Sequence, residues 1–187
     1  PGVLAAQQPG LAPPPRESIT VGPAPRTSYD STVRWLADVG RQVAGVRSAA
    51  EQLRRAGYNF PDGVVRERLE LVQGRCRQLA QVAREARTGI CRSCVAANLR
   101  PVLERYRAQL TPVVSFATNC AARMRTLRTD SRPGASNRAR QAARSFTAVV
   151  AQGLRAYEER VREVRVAFGW EPPPLQLRRG SGTTPRP

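Results

Sequence analysis

The chain has 187 residues and a net charge of +17 at neutral pH, which fits one domain with tails and predicts an anionic partner or surface. Hydrophobic residues make up 41% of the chain but aromatic residues only 5%, so any core must be mainly aliphatic. All 31 basic residues are arginine and histidine is absent, which excludes catalysis and metal binding by imidazole. GC-rich coding would explain the arginine bias, and so would selection for the guanidinium group.

Residues 1–28 are predicted to form an extended, proline-rich arm. Their prolines remove backbone donors and disfavour helix, and no apolar periodicity is present. Val3 and Ala5 have the spacing of the small residues before a signal-peptidase site, so residues 1–5 fit the remnant of a signal peptide. An ordinary Ala/Pro tail explains them equally well. The same composition predicts a second extended arm over residues 171–187.

Between the arms, apolar residues recur three and four positions apart in four long runs, which is the period of amphipathic helices. The first run follows Asp30, a predicted N-cap, and ends at Gly57. The second follows Asp62, the next predicted cap, and ends at Gly89. The sequence therefore predicts two long helices in the first half of the domain.

The third run stays in phase through Pro112, which predicts one helix with a kink. The fourth run reaches Phe168 and changes phase near Gly153. Helices of roughly 25 to 35 residues would each span about 40 to 50 Å. Because short connections make neighbouring helices antiparallel, residues 29–170 are predicted to form an all-α, elongated antiparallel bundle of about four long amphipathic helices.

The four cysteines suggest redox, metal-binding or structural roles. Cys91 and Cys94 have CxxC spacing, whereas Cys76 and Cys120 lie on the apolar faces of two different helices. Haem attachment is excluded because it needs a histidine after the second cysteine. Ligand spacing disfavours zinc and iron–sulfur sites, and the lack of strands disfavours a thioredoxin-like centre. We expect disulfides, which the even number of cysteines favours.

The pairing depends on the connection between the second and third helices. A tight turn near Cys91 would place Cys76 and Cys120 about 20 Å out of register, beyond the reach of a disulfide. A longer connection, with the third helix beginning near Pro101 under an Asn98 cap, would bring them together and leave the CxxC pair to close the loop. Otherwise Cys76 and Cys120 would stay as buried thiols.

Arginine is concentrated between residues 92 and 144, where Glu104 and Asp130 are the only acidic residues. The helix macrodipole explains arginine at the end of the third helix but not at the start of the fourth, where it favours acids. We therefore expect these side chains to bind an external anion, such as lipid headgroups, nucleic acid or an acidic protein. The candidates are Arg123, Arg125, Arg128, Arg132, Arg138, Arg140 and Arg144.

Trp35 and Trp170 lie near the two junctions between the arms and the bundle. They are candidate anchors for a partner, and an equally good alternative is that they cover the apolar ends of the bundle.

The sequence predicts a non-catalytic structural or assembly subunit, with no catalytic, cofactor-binding or metal-binding residues. It has no phosphate-binding glycine motif, and its carboxylates alternate with arginines as on salt-bridged helix surfaces. No run reaches the about 18 to 20 apolar residues of a membrane span. We expect an extracytoplasmic, periplasmic or secreted, membrane-extrinsic subunit that scaffolds or clamps a larger membrane-embedded complex through its arms and a basic bundle end. A cytoplasmic location stays open.

The alternative is an arginine-rich protein that binds or packages nucleic acid. Neutralising several phosphates would give such a protein a steep salt dependence. Against this alternative, residues 123–144, where the arginines are densest, contain no interleaved aromatic residues for base stacking.

Overall fold

Four long helices make up nearly all of the described structure. It is a computed structural model that describes the backbone of residues 26–170 and the side chains of residues 30–58 and 60–170. The helices are α1 (Arg26–Asn59), α2 (Asp62–Gly89), α3 (Arg100–Thr129) and α4 (Ala135–Ala167), with a 3-10 turn at Ala97–Leu99. No strand occurs within this range. The predicted all-α fold is confirmed.

The beginning of α1 differs from the prediction. The helix starts at Arg26, so the last three residues assigned to the N-terminal arm are helical, and Asp30 lies inside the helix instead of capping it. Nothing between Arg26 and Asp30 breaks a helix, which accounts for the earlier start. The predicted arms otherwise fall on residues 1–25 and 171–187, which lie outside the described residues.

The predicted caps of α2 and α3 were also wrong. Pro61 occupies the cap position of α2, and Asp62 is the first helical residue. The Asp62 carboxylate is bound by Arg140 of α4 and is therefore engaged across the bundle. Leu99, at the end of the 3-10 turn, precedes α3, so Asn98 does not cap that helix.

The helices follow one another around the core, and α4 packs back against α1. Trp35 near the start of α1 lies against Gly89 at the end of α2. Gln52 late in α1 accepts a hydrogen bond from Arg68 early in α2. Contacts between the other neighbouring helices have the same opposed register, so the bundle runs up-down-up-down.

This topology gives the bundle two distinct ends. The loop end holds the α1–α2 connection at residues 60–61 and the α3–α4 connection at residues 130–134. The terminal end holds the α2–α3 connection at residues 90–99, the beginning of α1 and the end of α4. Both terminal segments outside the described residues therefore attach at the terminal end.

The core is aliphatic, as the composition predicts, and every helix contributes fully buried leucine or valine. Leu53, Leu69, Leu103 and Leu154 have no exposed surface. Burial of such a side chain contributes about 1.5–3 kcal/mol relative to exposure. The helices are thus held together mainly by burial of their apolar faces.

Helix α3 continues through Pro112 as one helix, as predicted. Further along α3, the ring of Phe116 occupies the space that a Cβ atom on Gly153 of α4 would need. Glycine therefore lets α3 and α4 approach closely at the position where the apolar pattern of α4 changes phase.

Both cysteine pairs form disulfides. Cys76 of α2 is bonded to Cys120 of α3, with Cα atoms 6.1 Å apart, and Cys91 is bonded to Cys94 within the α2–α3 connection, with Cα atoms 5.4 Å apart. The long connection over residues 90–99 supplies the offset that a tight turn would not. The disulfide prediction is confirmed, and no thiolate of these four cysteines is left to hold a metal.

Candidate partner-binding surfaces

At the loop end, Asp130 is the centre of an arginine cluster. Its carboxylate accepts hydrogen bonds from Nε of Arg132 at 2.9 Å and from Nη2 of Arg138 at 2.8 Å. The Asp130 side chain is only 6% exposed. The guanidinium groups of Arg132 and Arg138 together hold the pKa of Asp130 well below its usual range. The hydrogen bonds of Arg138 to Asp130 and to the Pro133 carbonyl thus hold the α3–α4 connection against the beginning of α4.

Three further arginines join helices at the same end. Nη2 of Arg140 lies 2.6 Å from the Asp62 carboxylate, and hydrogen bonds from Ser136 and Arg140 lower the pKa of Asp62. Arg144 donates to the Gly57 carbonyl at 2.9 Å, and its guanidinium lies 4.9 Å from the centre of the Tyr58 ring. Arg128 pairs with Glu70 at 3.0 Å.

The macrodipole does not favour arginine at the start of α4, as expected, but Arg138, Arg140 and Arg144 each have a partner within the bundle. Carboxylates of α2 and of the α3–α4 connection, and a carbonyl at the end of α1, offset the unfavourable macrodipole. Two of these partners lie far away in the chain, 78 residues from Arg140 and 87 residues from Arg144, whereas Asp130 lies 8 residues from Arg138. Their binding of an external anion stays a prediction.

Arg123 and Arg125, in contrast, hold no carboxylate among the residues that the structure describes, and both are exposed. Arg123 and Arg138 border a shallow depression of ≈ 310 Å³ between α3 and α4. Of the seven candidates, Arg128, Arg132, Arg138 and Arg140 pair with an acid, and Arg144 binds a backbone carbonyl instead. Arg123 and Arg125 therefore have neither kind of partner among the described residues.

The two tryptophans have different surroundings. The indole of Trp35 packs so closely on Gly89 that it fills the space of a Cβ atom there, and it borders the core. Trp35 thus covers an apolar end of the bundle. Trp170 is 44% exposed, and its ring centre lies 5.1 Å from that of Phe168.

A groove between α1 and α4, here called the α1–α4 groove, begins at Trp170. It consists of two adjoining depressions of ≈ 430 Å³ and ≈ 360 Å³ that share Gly40, Ala44 and Val161. Sequence reasoning missed this groove. The signal was Ala37, Gly40 and Ala44, small residues at helical spacing beside the buried face of α1.

Another depression, of ≈ 670 Å³, lies at the terminal end beside the α2–α3 connection. It is bordered by Cys91 and by Arg92, Arg100 and Arg107. Arg92 pairs with Glu104 at 3.3 Å, Arg107 donates to the Arg87 carbonyl, and Arg100 donates to the Val95 carbonyl. These arginines therefore stabilise the disulfide-closed connection.

Among the described side chains, no three acidic or cysteine residues are grouped so that they could hold a metal ion. None of the helices within residues 26–170 is both long and apolar enough to cross a membrane. Comparison of the chain with models of protein families, with curated proteins and with solved structures finds no match.

Proposed function

We propose that this chain is a non-catalytic assembly subunit that works outside the cytoplasm, peripheral to a membrane, and binds an acidic protein of a larger complex. The observation that carries the proposal is the pairing of the chain's carboxylates with its own arginines. Most of them already hold an arginine of the same chain: Asp38, Glu51, Asp62, Glu70, Glu104, Asp130, Glu158 and Glu163.

After this internal pairing a large excess of arginine remains, since the chain carries a net charge of +17. Exposed arginines such as Arg123 and Arg125 bind no acid within the part of the chain that the structure describes. An acidic partner would complete these pairs and would be attracted electrostatically before contact. The bundle itself supplies a rigid surface that needs little ordering when a partner binds.

The two disulfides support a location outside the cytoplasm. Disulfides form and persist in the periplasm and in secreted proteins, and reducing systems keep them rare in the cytosol. Cys76–Cys120 joins two helices across the core, and Cys91–Cys94 closes the α2–α3 connection. A subunit built this way keeps its shape in an oxidising compartment.

A second candidate function, nucleic-acid binding, is favoured by a specific observation. The fold brings Tyr58 and Phe60, which are 53% and 48% exposed, to the same end as the arginine cluster. Residues 123–144, where the arginines are densest, contain no aromatic residue, but the loop end combines both residue types. Aromatic rings beside arginines are the elements of a single-strand binding surface.

The test is the behaviour of the protein in membranes from its native source. We expect the protein to sediment with a defined protein complex. This association should survive nuclease treatment, and high salt or carbonate should release the protein from the membrane. Loss of the association on nuclease treatment, with steeply salt-dependent binding to an oligonucleotide, would support the second candidate. Sedimentation as a lone protein in untreated membranes and extracts would refute the assembly role.

Charge-reversal variants make the test specific. Arg123→Glu with Arg125→Glu is expected to weaken the association with the complex. The matched control is Arg77→Glu with Arg155→Glu, which makes the same change in net charge at exposed positions of α2 and α4. Equal weakening by both pairs would mean that only overall charge matters, and the specific contribution of Arg123 and Arg125 would be disproved.

A further inference from the structure

We propose that the α1–α4 groove is the docking site for one helix of the partner, an amphipathic helix whose apolar stripe is flanked by acidic residues. This inference rests on the proposed function, because it names the segment by which an acidic protein partner is held.

The groove has the length of a short helix. Its α1 side extends from Val33 to Arg47, which corresponds to about 21 Å or four helical turns at 1.5 Å per residue. Trp170 closes one end, and the Arg47–Glu158 ion pair lies at the other. A partner helix of roughly 14 residues would fill this length.

The small residues on the floor of the groove allow a partner helix to lie close to α1. Ala37, Gly40 and Ala44 lie at helical spacing along α1, and a Cβ atom placed on Gly40 would meet nothing within 4 Å. Small residues let a second helix axis approach to about 8–10 Å. The apolar side chains of Val161 and Trp170 form the opposite wall, so apolar residues of the partner would be buried between the two helices.

The rim selects an acidic partner. Among the described lining residues it carries Arg41, Arg47, Arg162 and Arg165 against one carboxylate, that of Glu158. Asp38 binds Arg41 and Glu158 binds Arg47, so the rim remains positively charged. Arg162 is exposed and holds no carboxylate among the described residues. Glutamates beside the apolar stripe of a partner helix would therefore be attracted on both sides of the groove.

Charge argues against a second copy of the chain as the occupant. Each copy carries a net charge of +17, and a symmetric contact through this groove would bring arginine rims together. Such like-charge contacts oppose association in protein interfaces.

The experiment uses the full chain and two designed peptides of about 16 residues with the same leucine stripe, one flanked by glutamates and one by lysines. Fluorescence anisotropy of the labelled peptide measures the dissociation constant. We expect the glutamate-flanked peptide to bind at least about tenfold more tightly than the lysine-flanked one. Absence of binding up to about 1 mM, or equal binding of both peptides, overturns the inference.

Gly40→Leu tests the position of the peptide. A Cβ atom at this position would meet nothing within 4 Å, and a leucine side chain there would extend into the groove, so we expect binding to weaken by more than about tenfold. The control is Gly74→Leu on α2, which also meets open space but lies outside the groove, and it should bind like the original chain. Unchanged binding by Gly40→Leu would place the peptide elsewhere and overturn the inference.

Two further outcomes identify other occupants. If the original chain is a dimer by light scattering and Gly40→Leu is a monomer, a second copy occupies the groove and the inference fails. If Gly40→Leu still enters the native complex as the original chain does, the groove is not the docking site, although the assembly role stands. Peptide binding by a chain that joins no complex would instead retain the groove and refute the assembly role.

Discussion

Removing the Cys76–Cys120 disulfide should lower the free energy of unfolding more than removing Cys91–Cys94. The first bond closes a loop with a sequence separation of 44, and the second one with a separation of only 3. The chain-entropy relation converts these loops into about 4 kcal/mol and about 2 kcal/mol of stabilisation. The difference arises because the longer loop restricts the unfolded chain more strongly.

The perturbations are two double variants, Cys76→Ala with Cys120→Ala and Cys91→Ser with Cys94→Ser. At about 2–4 °C per kcal/mol for a chain of this size, the first should lower Tm by about 8–16 °C and the second by about 4–8 °C. Tm and urea unfolding are measured by circular dichroism without reductant. Mass spectrometry of the intact protein verifies that the remaining disulfide is closed.

The order of the two losses decides the outcome. Equal losses, or a larger loss for Cys91→Ser with Cys94→Ser, would refute the explanation by loop length. Adding reductant to the first variant should then remove only the contribution of the remaining short loop. A much larger further drop would show that Cys91–Cys94 orders the α2–α3 connection in the folded state.

Three other perturbations test the packing and the titrating groups. Gly153→Ala should cost about 1 kcal/mol in urea unfolding because overpacking outweighs the gain in helix propensity, whereas Gly74→Ala, in open space, should gain about 0.5–1 kcal/mol; changes of the same sign would contradict the close approach of α3 and α4. Two arginines of α1 lower the pKa of Glu51 to about 2 from 4.5, so its stabilisation is present above about pH 4.5 and is lost as the pH falls towards 2; a flat profile of Tm against pH in this window would contradict the ion pairs. Burial raises the pKa of Tyr157 to about 12 and that of its neighbour Tyr106 well above 10, so stability should fall as the pH rises from 10 towards 12, and tyrosinate absorbance should appear together with unfolding.

Local information was sufficient for the helices. The spacing of Leu103, Tyr106, Leu110 and Val113 defines one face of α3, and all four side chains are buried. The helix continues through Pro112, because the burial of this apolar face stabilises it more than one missing backbone hydrogen bond destabilises it. Helix starts were harder to predict, since Asp62 is recognisable as a cap but is bound by Arg140 from another helix.

The surfaces depended on the packing of distant segments. The macrodipole does not explain Arg140 and Arg144 at the start of α4, and their partners, the Asp62 carboxylate and the Gly57 carbonyl, lie 78 and 87 residues away in the chain. The α1–α4 groove could not be predicted from the sequence either. The sequence around a small residue such as Gly40 is the same whether or not a neighbouring helix covers that residue.

The sequence by itself determined the all-α class, the four amphipathic faces and the chemistry of the possible cross-links. The spacing of apolar residues and the presence of cysteines can both be read from the sequence without knowing how the helices pack. Only the tertiary structure decided which carboxylates hold which arginines, and which apolar stripe stays open between α1 and α4. Those properties depend on distances between residues far apart in the chain. Charges and small residues therefore acquired their roles only when the four helices were packed together.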